Sequence, residues 1–160
     1  MTDNSLLNRL LELFPEDLIE THSFRGDLTA VIRPEGLVRI VKRLRADPDF
    51  QFDVLMDLTA VDLLQKKSCF EVVYHFYSIS KNHRLRLKVP VPEKAAEVDS
   101  LVGEYAAADW YEREVYDMFG IRFRNHPNLR RILMYEGFEG HPLRKDYPIR
   151  KRQPIIGPMN

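Results

Sequence analysis

The prolines in the last quarter of the chain restrict its fold more than any other sequence feature. Five of the ten prolines fall in the final 40 residues. They are Pro127, Pro142, Pro148, Pro154 and Pro158. Proline lacks an amide hydrogen, so no helix longer than about three turns fits between these positions, and pairing as a central strand is disfavoured. The sequence therefore predicts an extended arm from residue 121 to residue 160.

This arm is too apolar and aromatic to be a solvated tail. Its large apolar residues are Ile121, Phe123, Leu129, Ile132, Leu133, Met134, Tyr135, Phe138, Leu143, Tyr147 and Ile149. Ordering the arm costs backbone entropy that these side chains offset only when buried, and the rest of the chain has too little surface to cover them all. We therefore expect the arm to need another chain as its cover, which predicts a structural subunit of a larger assembly.

The chain before the arm is predicted to begin with two helices and a hairpin. Residues 4–14 and 34–47 each place leucine, isoleucine or valine on one helical face, which indicates two amphipathic helices. Between them, Leu18–Ser23 and Leu28–Ile32 are β-prone runs that meet at Arg25-Gly26-Asp27. Such a pair of runs around a glycine turn predicts a β-hairpin.

Three alternating stretches predict the remaining strands. Their inward residues are Phe52, Val54, Met56 and Leu58; Phe70, Val72, Tyr74 and Phe76; and Leu85, Leu87 and Val89. Alternation indicates one buried and one wet face in each strand, and we expect Pro90 and Pro92 to close the sheet. The order helix, two strands, helix, three strands predicts an α+β fold: a two-layer domain with a mixed sheet and both helices on one face.

Two further helices are predicted between the sheet and the arm. The apolar residues of the first, a short one, are Val98, Leu101, Val102 and Tyr105. The second and better defined helix covers residues 109–119. With it, the predicted α+β domain spans residues 1–120, and the extended partner-binding arm spans residues 121–160.

The second of these helices carries signals for both of its ends. Asp109 with Glu112 three positions later has the pattern of a capping box, and Gly120 can adopt the left-handed conformation that stops a helix. Arg113 and Asp117 are four positions apart, so we expect them to pair on the helix surface.

Charge is unevenly distributed although the chain is neutral overall. Lys and Arg total 24, as do Asp and Glu, so the overall charge does not point to nucleic acid, a membrane surface or an acidic substrate. Residues 97–120 hold seven acids and one base, whereas residues 121–152 hold nine bases and three acids. The bases of the arm are therefore expected to pair either with the preceding acidic block or with an acidic patch on a protein partner.

Cysteine content and hydropathy exclude several other classes of protein. The lone cysteine, Cys69, excludes an intramolecular disulfide, a zinc site of several thiolates and a cysteine-ligated cluster within this chain. The first residues contain acids and match neither a secretory signal nor a transit peptide. No apolar run approaches the roughly 20 residues that span a bilayer, so we expect membrane association only through partners.

Two motif blocks and their separation resemble the signature region of a known family. The blocks are ERE-x-x-D-M-F-G-I, from Glu112, and GHPLRKDYP, from Gly140. They resemble the thirty-kilodalton subunit family of NADH:quinone oxidoreductase, the respiratory complex I. The similar region runs from Asp109 to Pro148, about a quarter of the chain, while the preceding domain agrees with the family in length and element order only.

The resemblance implies a structural subunit of the peripheral arm of a proton-pumping NADH:quinone oxidoreductase. This chain would carry no cofactor, metal or catalytic centre, while the parent complex binds FMN, iron–sulfur clusters, NADH and quinone. Its partners would be the quinone-site subunit and the subunit that bears the terminal cluster. The short length without a transit peptide suggests the cytoplasmic side of a bacterial inner membrane. Related membrane-bound hydrogenases and other dehydrogenases share this module, so the electron donor stays open.

The same resemblance leads us to expect a partner interface on the last helix and the arm. Its residues are Trp110, Glu112, Arg113, Glu114, Asp117, Phe119, Gly120, His126, Pro127, Arg130, Arg131, Gly140, His141, Pro142, Leu143, Arg144, Lys145, Asp146, Tyr147 and Pro148.

Three other interpretations of these residues are weaker. A free-standing enzyme could use Glu112 and Glu114 as an acid–base pair, but residues two apart on a helix point to different faces. His126 and His141 each precede a proline without a nearby second ligand, which disfavours a metal site. The bases and aromatic residues of the arm resemble a nucleic-acid stripe, but they alternate with aliphatic residues that need burial.

Overall fold

The computed structural model describes residues 3–63 and 69–153 as an α+β fold, which confirms the predicted fold class and the mixed sheet. The helices are α1 (Asp3–Leu13), α2 (Leu37–Ala46) and α3 (Ala108–Phe119). The strands are β1 (Leu18–Phe24), β2 (Asp27–Ile32), β3 (Val54–Asp62), β4 (Cys69–Ser78), β5 (His83–Pro92), β6 (Glu97–Asp99) and β7 (Arg122–Arg124). Single 3₁₀ turns cover Pro34–Gly36 and Glu93–Ala95. None of the described helices has the length and apolar character needed to cross a membrane.

Five strands form the main sheet in the order β1-β2-β5-β4-β3, and β6 pairs with β7 in a separate two-stranded sheet. Neighbours in the main sheet run antiparallel except β2 and β5, which are parallel. The first hairpin turns at Arg25 and Gly26, whose φ angles of 54° and 85° are those of a type I′ turn. The predicted hairpin is therefore confirmed.

One hydrophobic core joins the three helices to a single face of the main sheet. The inward residues of β4 and β5 are those predicted from alternation, and all of them are buried. Tyr105 lies in this core and donates a hydrogen bond from its hydroxyl to the Phe52 carbonyl at 2.6 Å. Desolvation by burial raises the pKa of Tyr105 to about 12.

The predicted inward face of β3 is wrong at two positions. Met56 is 47% exposed and Val54 is half-buried, whereas Leu55 is buried. The pairing with β4 shifts between Leu55 and Asp57, so Met56 is the extra residue of a β-bulge. The bulge reverses the phase of alternation, which a strict period of two cannot anticipate, and Leu58 is buried as predicted.

Of two expectations around the end of the sheet, one is confirmed and one is wrong. The main sheet ends at Pro92, the last residue of β5, as expected. Pro90 and Pro92 can pair with β4 because β2 covers only Arg86 to Lys88 and leaves β5 as an edge strand beyond them. The predicted short helix with Val98, Leu101, Val102 and Tyr105 does not form: Val98 pairs with Phe123 between β6 and β7, and turns follow. The apolar spacing in this segment reflects burial in turns.

Helix α3 begins one residue earlier than predicted and without the predicted capping box. It starts at Ala108 and has no side-chain hydrogen bond at its N-cap. Asp109 therefore lies inside the first turn, and Glu112 is buried and bonded elsewhere. At the other end, Gly120 has a φ of 79° and donates its N–H to the Tyr116 carbonyl, as predicted.

Candidate functional site

Asp117, near the end of α3, binds the arm through both of its carboxylate oxygens. Its Oδ2 accepts hydrogen bonds from the backbone N–H groups of Ile132, Leu133 and Met134, at 3.1, 2.8 and 2.9 Å. Its Oδ1 accepts a hydrogen bond from the Arg131 guanidinium at 3.1 Å. The carboxylate is fully buried, so its charge is compensated by these donors in place of water.

A second contact forms where His141 lies against the end of α3. The His141 Nδ1 lies 3.0 Å from the Asp117 carbonyl oxygen, which can only accept, so Nδ1 carries the hydrogen. A Cβ atom on Gly120 would lie 2.6 Å from the imidazole Cδ2, so only glycine leaves room for this ring. Two residues further on, the Leu143 N–H donates to the Met118 carbonyl at 3.1 Å.

Arg113 connects the middle of α3 to the start of the arm. Its Nε donates to the Arg130 carbonyl at 3.2 Å, and its guanidinium lies 5.1 Å from the centroid of the Trp110 ring. Arg113 and Asp117 are both buried, so the predicted surface pair between them is wrong. The arm covers both side chains, and the sequence pattern of the helix alone does not predict this cover.

Further along, the arm crosses the end of the main sheet at Arg144 and Lys145. The Lys145 N–H donates to Oδ2 of Asp62, the last residue of β3, at 2.7 Å. The Arg144 guanidinium bonds to Glu93 at 3.0 Å and lies 5.1 Å from the centroid of the Phe70 ring in β4. The arm is thus fixed to the sheet as well as to α3.

Aromatic rings within the arm pack on one another. The Phe138 ring lies 5.5 Å from Tyr135 and 6.1 Å from Tyr147, between ring centroids. Arg131 lies over the Phe138 ring at 5.7 Å and donates to the Gly140 carbonyl at 2.9 Å. Gly140 has a φ of 95°, and a Cβ there would lie 2.9 Å from the Tyr147 ring. These contacts form a small cluster that shapes the arm locally.

A buried polar cluster lies at the root of the arm. Glu112 Oε1 accepts the Leu101 N–H at 2.6 Å. His126 Nε2 donates its hydrogen bond to the Asp109 carbonyl oxygen at 3.2 Å, and it also lies 3.2 Å from Asp109 Oδ1 and 4.0 Å from Glu112 Oε2. Among the described residues, Tyr74 Oη, Asp109 Oδ1 and Glu112 Oε2 have no hydrogen-bond partner. Burial raises the pKa of Glu112 to about 7, although hydrogen bonds oppose this shift. Burial, with the nearby Glu112, also raises the pKa of Tyr74 well above its usual value.

The domain covers the first part of the arm and leaves later apolar residues exposed. Ile121 and Phe123 belong to the hydrophobic core, and Leu129 and Met134 pack against it. The chain therefore covers part of the arm, in line with the expectation that it has too little surface to cover all eleven of these apolar residues. The exposed apolar residues of the arm are Leu133, Tyr135, Leu143 and Ile149, of which Ile149 is fully exposed.

The predicted interface residues divide by burial into three groups. The exposed residues are Trp110, Glu114, Pro127, Arg130, Gly140, Leu143, Lys145, Asp146 and Pro148. The half-buried residues are Gly120, His126, Arg131, His141, Pro142, Arg144 and Tyr147. The buried residues are Glu112, Arg113, Asp117 and Phe119. The exposed and half-buried groups can meet a partner directly, and the buried group supports the arm from beneath.

The structure separates Glu112 from Glu114, as expected for residues two apart on a helix. Glu112 is buried and Glu114 is exposed, so they share no acid–base site. Within residues 3–63 and 69–153, no group of three or more His, Cys, Asp or Glu side chains could hold a metal ion.

Several residues that fix the arm were missed from the sequence. Asp62 and Glu93 lie more than 50 positions from the arm residues that they bind. Asp62 does continue the alternation of Leu58 and Ala60 in β3. A carboxylate on a buried face is a signal that could have identified it.

Comparison with known proteins gives the family. A model of the family described as respiratory-chain NADH dehydrogenase, 30 Kd subunit, matches residues 30–153. The chain belongs to this family. It is accordingly a subunit of the peripheral arm of NADH-quinone oxidoreductase, complex I, and takes part in electron transport.

Curated members of the 30 Kd subunit family resemble the chain along most of its length. The corresponding NADH-quinone oxidoreductase subunit of Geotalea uraniireducens (strain Rf4) is 42% identical over 160 residues, covering 99% of this chain and 96% of that protein. The corresponding subunit of Rhodobacter capsulatus is 50% identical over 134 residues, covering 84% of this chain and 67% of that protein.

Solved structures share the fold. A trypsin-resistant fragment of Nqo5 superimposes with a TM-score of 0.68 at 28% identity, covering 78% of this chain and 98% of the fragment. A chain of the membrane-bound sulfane sulfur reductase, an archaeal respiratory membrane complex, gives a TM-score of 0.79 at 23% identity. The likeness covers 93% of this chain and 87% of that chain. At that identity the second likeness concerns the fold alone.

Proposed function

We propose that the chain is a non-redox positioning subunit of complex I. It holds the quinone-site subunit and the subunit that bears the terminal cluster in a fixed relation, so that cluster and quinone stay within electron-transfer distance. FMN, the iron–sulfur clusters, NADH and quinone bind to other subunits. The chain itself lies at the cytoplasmic side of the membrane and reaches it only through these partners.

One observation carries this proposal: the arm is fixed to its own domain yet presents apolar side chains to solvent. Asp117, Asp62 and Glu93 hold its backbone or its side chains. Leu133, whose own N–H is bound by Asp117, and Leu143 are each 55% exposed. Large apolar side chains held outward on an ordered segment are typical of a protein interface.

The division into a domain and an arm belongs to the same proposal, with its boundary moved. Ile121 and Phe123 are core residues, so a cut after Gly120 would remove part of the domain. We place the boundary after Leu129, which packs against the core, and before Arg130, where the segment held by Arg113 and Asp117 begins. That Nqo5 yields a trypsin-resistant fragment of the same fold supports a separable domain.

Recovery of the complex through this chain tests the proposal. The full chain would carry an affinity tag on its N-terminus and be purified from membranes in mild detergent. We expect flavin- and cluster-containing subunits and NADH:quinone activity to be recovered with it. Recovery of the tagged chain alone, from cells that contain the assembled complex, would contradict the proposed function.

A truncated chain tests the role of the arm. A chain that ends at Leu129 should keep a cooperative thermal transition by circular dichroism, because it retains the core, but it should no longer be recovered with the complex. A truncated chain that assembles like the full chain would show that the arm is not the docking element.

A further inference from the structure

The bases of the arm divide into those paired within the chain and those left unpaired. Arg124 pairs with Glu97 and Asp99, Arg131 with Asp117, Arg144 with Glu93 and Asp146, and Lys151 with Glu139. The N···O distances of these pairs are 2.7 to 3.6 Å. The acids of the chain thus account for only part of the basic block, and half of these acids lie within residues 97–120.

The remaining bases form no ion pair with any residue in the described part of the chain. They are Arg122, Arg130, Lys145, Arg150 and Arg152, and all five are exposed. The one acid of the described arm that also lacks an ion pair is Glu136. The arm therefore presents an excess of positive charge to its surroundings.

These unpaired bases alternate with the exposed apolar side chains. Lys145 follows two residues after Leu143, and Arg150 is next to Ile149. Leu143 is 55% exposed and Ile149 is fully exposed. We call the set of Leu133, Leu143, Ile149, Arg130, Lys145, Arg150 and Arg152 the cationic arm surface.

We propose that the cationic arm surface docks on an acidic surface of a neighbouring subunit, with pockets for its aliphatic side chains between the carboxylates. This inference rests on the proposed function and specifies the chemistry of the partner. Arg130, Lys145, Arg150 and Arg152 each lie opposite a partner carboxylate or a group of carbonyls. Such complementarity sets the orientation of docking and suppresses incorrect partners.

The observations favour a protein over nucleic acid or lipid. Phe138 and Tyr147 stack on each other and are covered by Arg131 and Lys151, so their faces are not offered to bases. A lipid surface is usually met by an amphipathic helix. The arm from residue 125 to residue 153 contains turns and bends without a described helix.

Charge reversal in the full tagged chain tests the inference. The variant Arg130→Glu/Lys145→Glu/Arg150→Glu should reduce recovery of the other subunits at least tenfold, because it sets like charges opposite each other. The matched control reverses three exposed bases outside the arm, as Arg25→Glu/Lys81→Glu/Arg84→Glu, and should leave recovery within twofold of the wild type. Both purified variants are expected to melt within a few degrees of the wild type.

The possible outcomes separate the inference from the proposed function. If the wild-type chain recovers no partners, the proposed function fails. If the wild type and the arm variant recover them equally, the cationic surface is not the docking surface. Binding of the purified chain to phosphatidylglycerol vesicles, or to single-stranded DNA, that disappears in the arm variant while assembly persists would overturn the protein partner in favour of that ligand.

A zero-length cross-link reports the direct contact. A carbodiimide joins a lysine amine to a carboxylate in salt-bridge contact, so Lys145 of the intact complex should be joined to an acidic residue of another subunit. Lys145→Arg keeps the charge but removes the amine, and it should abolish this product in mass spectra. A complex whose Lys145 is modified only by soluble reagents, with no linked peptide, would contradict the contact.

Discussion

Asp117 is the residue on which the position of the arm depends most. Its carboxylate accepts three backbone N–H groups and one guanidinium in a fully buried site. In Asp117→Asn an NH₂ group replaces one of the two carboxylate oxygens. This NH₂ group is a donor, and it faces the N–H donors that the oxygen accepted from. We expect the arm to lose about 2 to 4 kcal/mol of local stability. Hydrogen exchange of the amides of residues 132–134 should accelerate by roughly thirtyfold or more.

The control for this prediction is an exposed carboxylate on the same helix. Glu114 is exposed, so Glu114→Gln should change the stability by less than about 0.5 kcal/mol and leave the exchange of residues 132–134 unchanged. Equal exchange rates in Asp117→Asn and in the wild type would show that other contacts hold this segment.

Glu112 should make the stability of the chain depend on pH. Burial raises its folded pKa to about 7 from the usual value of 4.5, so the folded state holds the proton more tightly than the unfolded state. Its contribution is therefore fully present below about pH 4.5 and is lost as pH rises through 7. Relative to Glu112→Gln, the wild type should lose about 2 to 3 kcal/mol of unfolding free energy between pH 5 and 8.

Chemical denaturation at several pH values measures this difference. Gln at position 112 keeps an oxygen for the Leu101 N–H but does not ionise. The two proteins share all their other titrating groups, so the contributions of those groups to the pH dependence of the unfolding free energy cancel in the comparison. Parallel curves for wild type and Glu112→Gln across pH 5 to 8 would show that the carboxyl does not retain its proton on folding.

The roles of Asp117 and Glu112 were predictable from the sequence only in outline. Their motif predicted that the helix is an interface element. Asp117 was expected to pair with Arg113 on the helix surface, and Glu112 was expected to belong to a capping box. The structure buries them because turns cover the helix from both sides: the segment around Leu101 meets Glu112, and the segment around Leu133 meets Asp117. Irregular segments have no periodic pattern, so their course cannot be derived from spacing.

Among the elements, the junction of α3 with the arm makes the most specific demand on side-chain size. Gly120→Ala places a methyl group against the His141 ring at a φ of 79°, and we expect a loss of at least about 1 kcal/mol. Adding His141→Ala removes the ring that the methyl group meets. The double variant should therefore be less unstable than the sum of the two single variants.

A double-mutant cycle from urea unfolding gives the coupling between these positions. A coupling free energy of about 0.5 kcal/mol or more is expected for side chains in direct contact. Strict additivity would mean that the cost of Gly120→Ala comes from its backbone conformation alone.

Elements with a strong period were predicted best. The helix with Leu37 and Leu44, and the strands with Tyr74 and Leu87, follow periods of 3.6 and two, and the structure buries the predicted faces. Predictions were wrong where one residue breaks the period, as at the Met56 bulge, or where the three-residue strand β6 and the turns after it replace a helix. Such short features depend on tertiary pairing, which local spacing does not encode.

At the scale of the whole molecule, exposed apolar side chains of the arm should affect assembly and not stability. Leu143 and Ile149 are largely or fully exposed in the isolated chain. Leu143→Ser/Ile149→Ser should therefore change the free energy of unfolding by less than about 0.5 kcal/mol for each site. Recovery of partner subunits by the tagged chain should nevertheless fall severalfold, because buried interface anchors carry much of the binding energy.

Ile79 provides the matched control for this double variant. It is 65% exposed in the turn between β4 and β5, away from the arm. Ile79→Ser should leave both stability and recovery unchanged. If Ile79→Ser impairs assembly as strongly as the arm variant, the docking surface extends to that turn.

The attachments of the arm at Asp117 and Asp62 have a consequence for how the complex assembles. The residues between them already have a defined conformation before any partner arrives, so docking requires little coupled folding. Association should then resemble rigid-body binding, with a heat-capacity change in proportion to the interface area alone. A chain with Asp117→Asn should instead associate more slowly, since its arm has to order during the encounter.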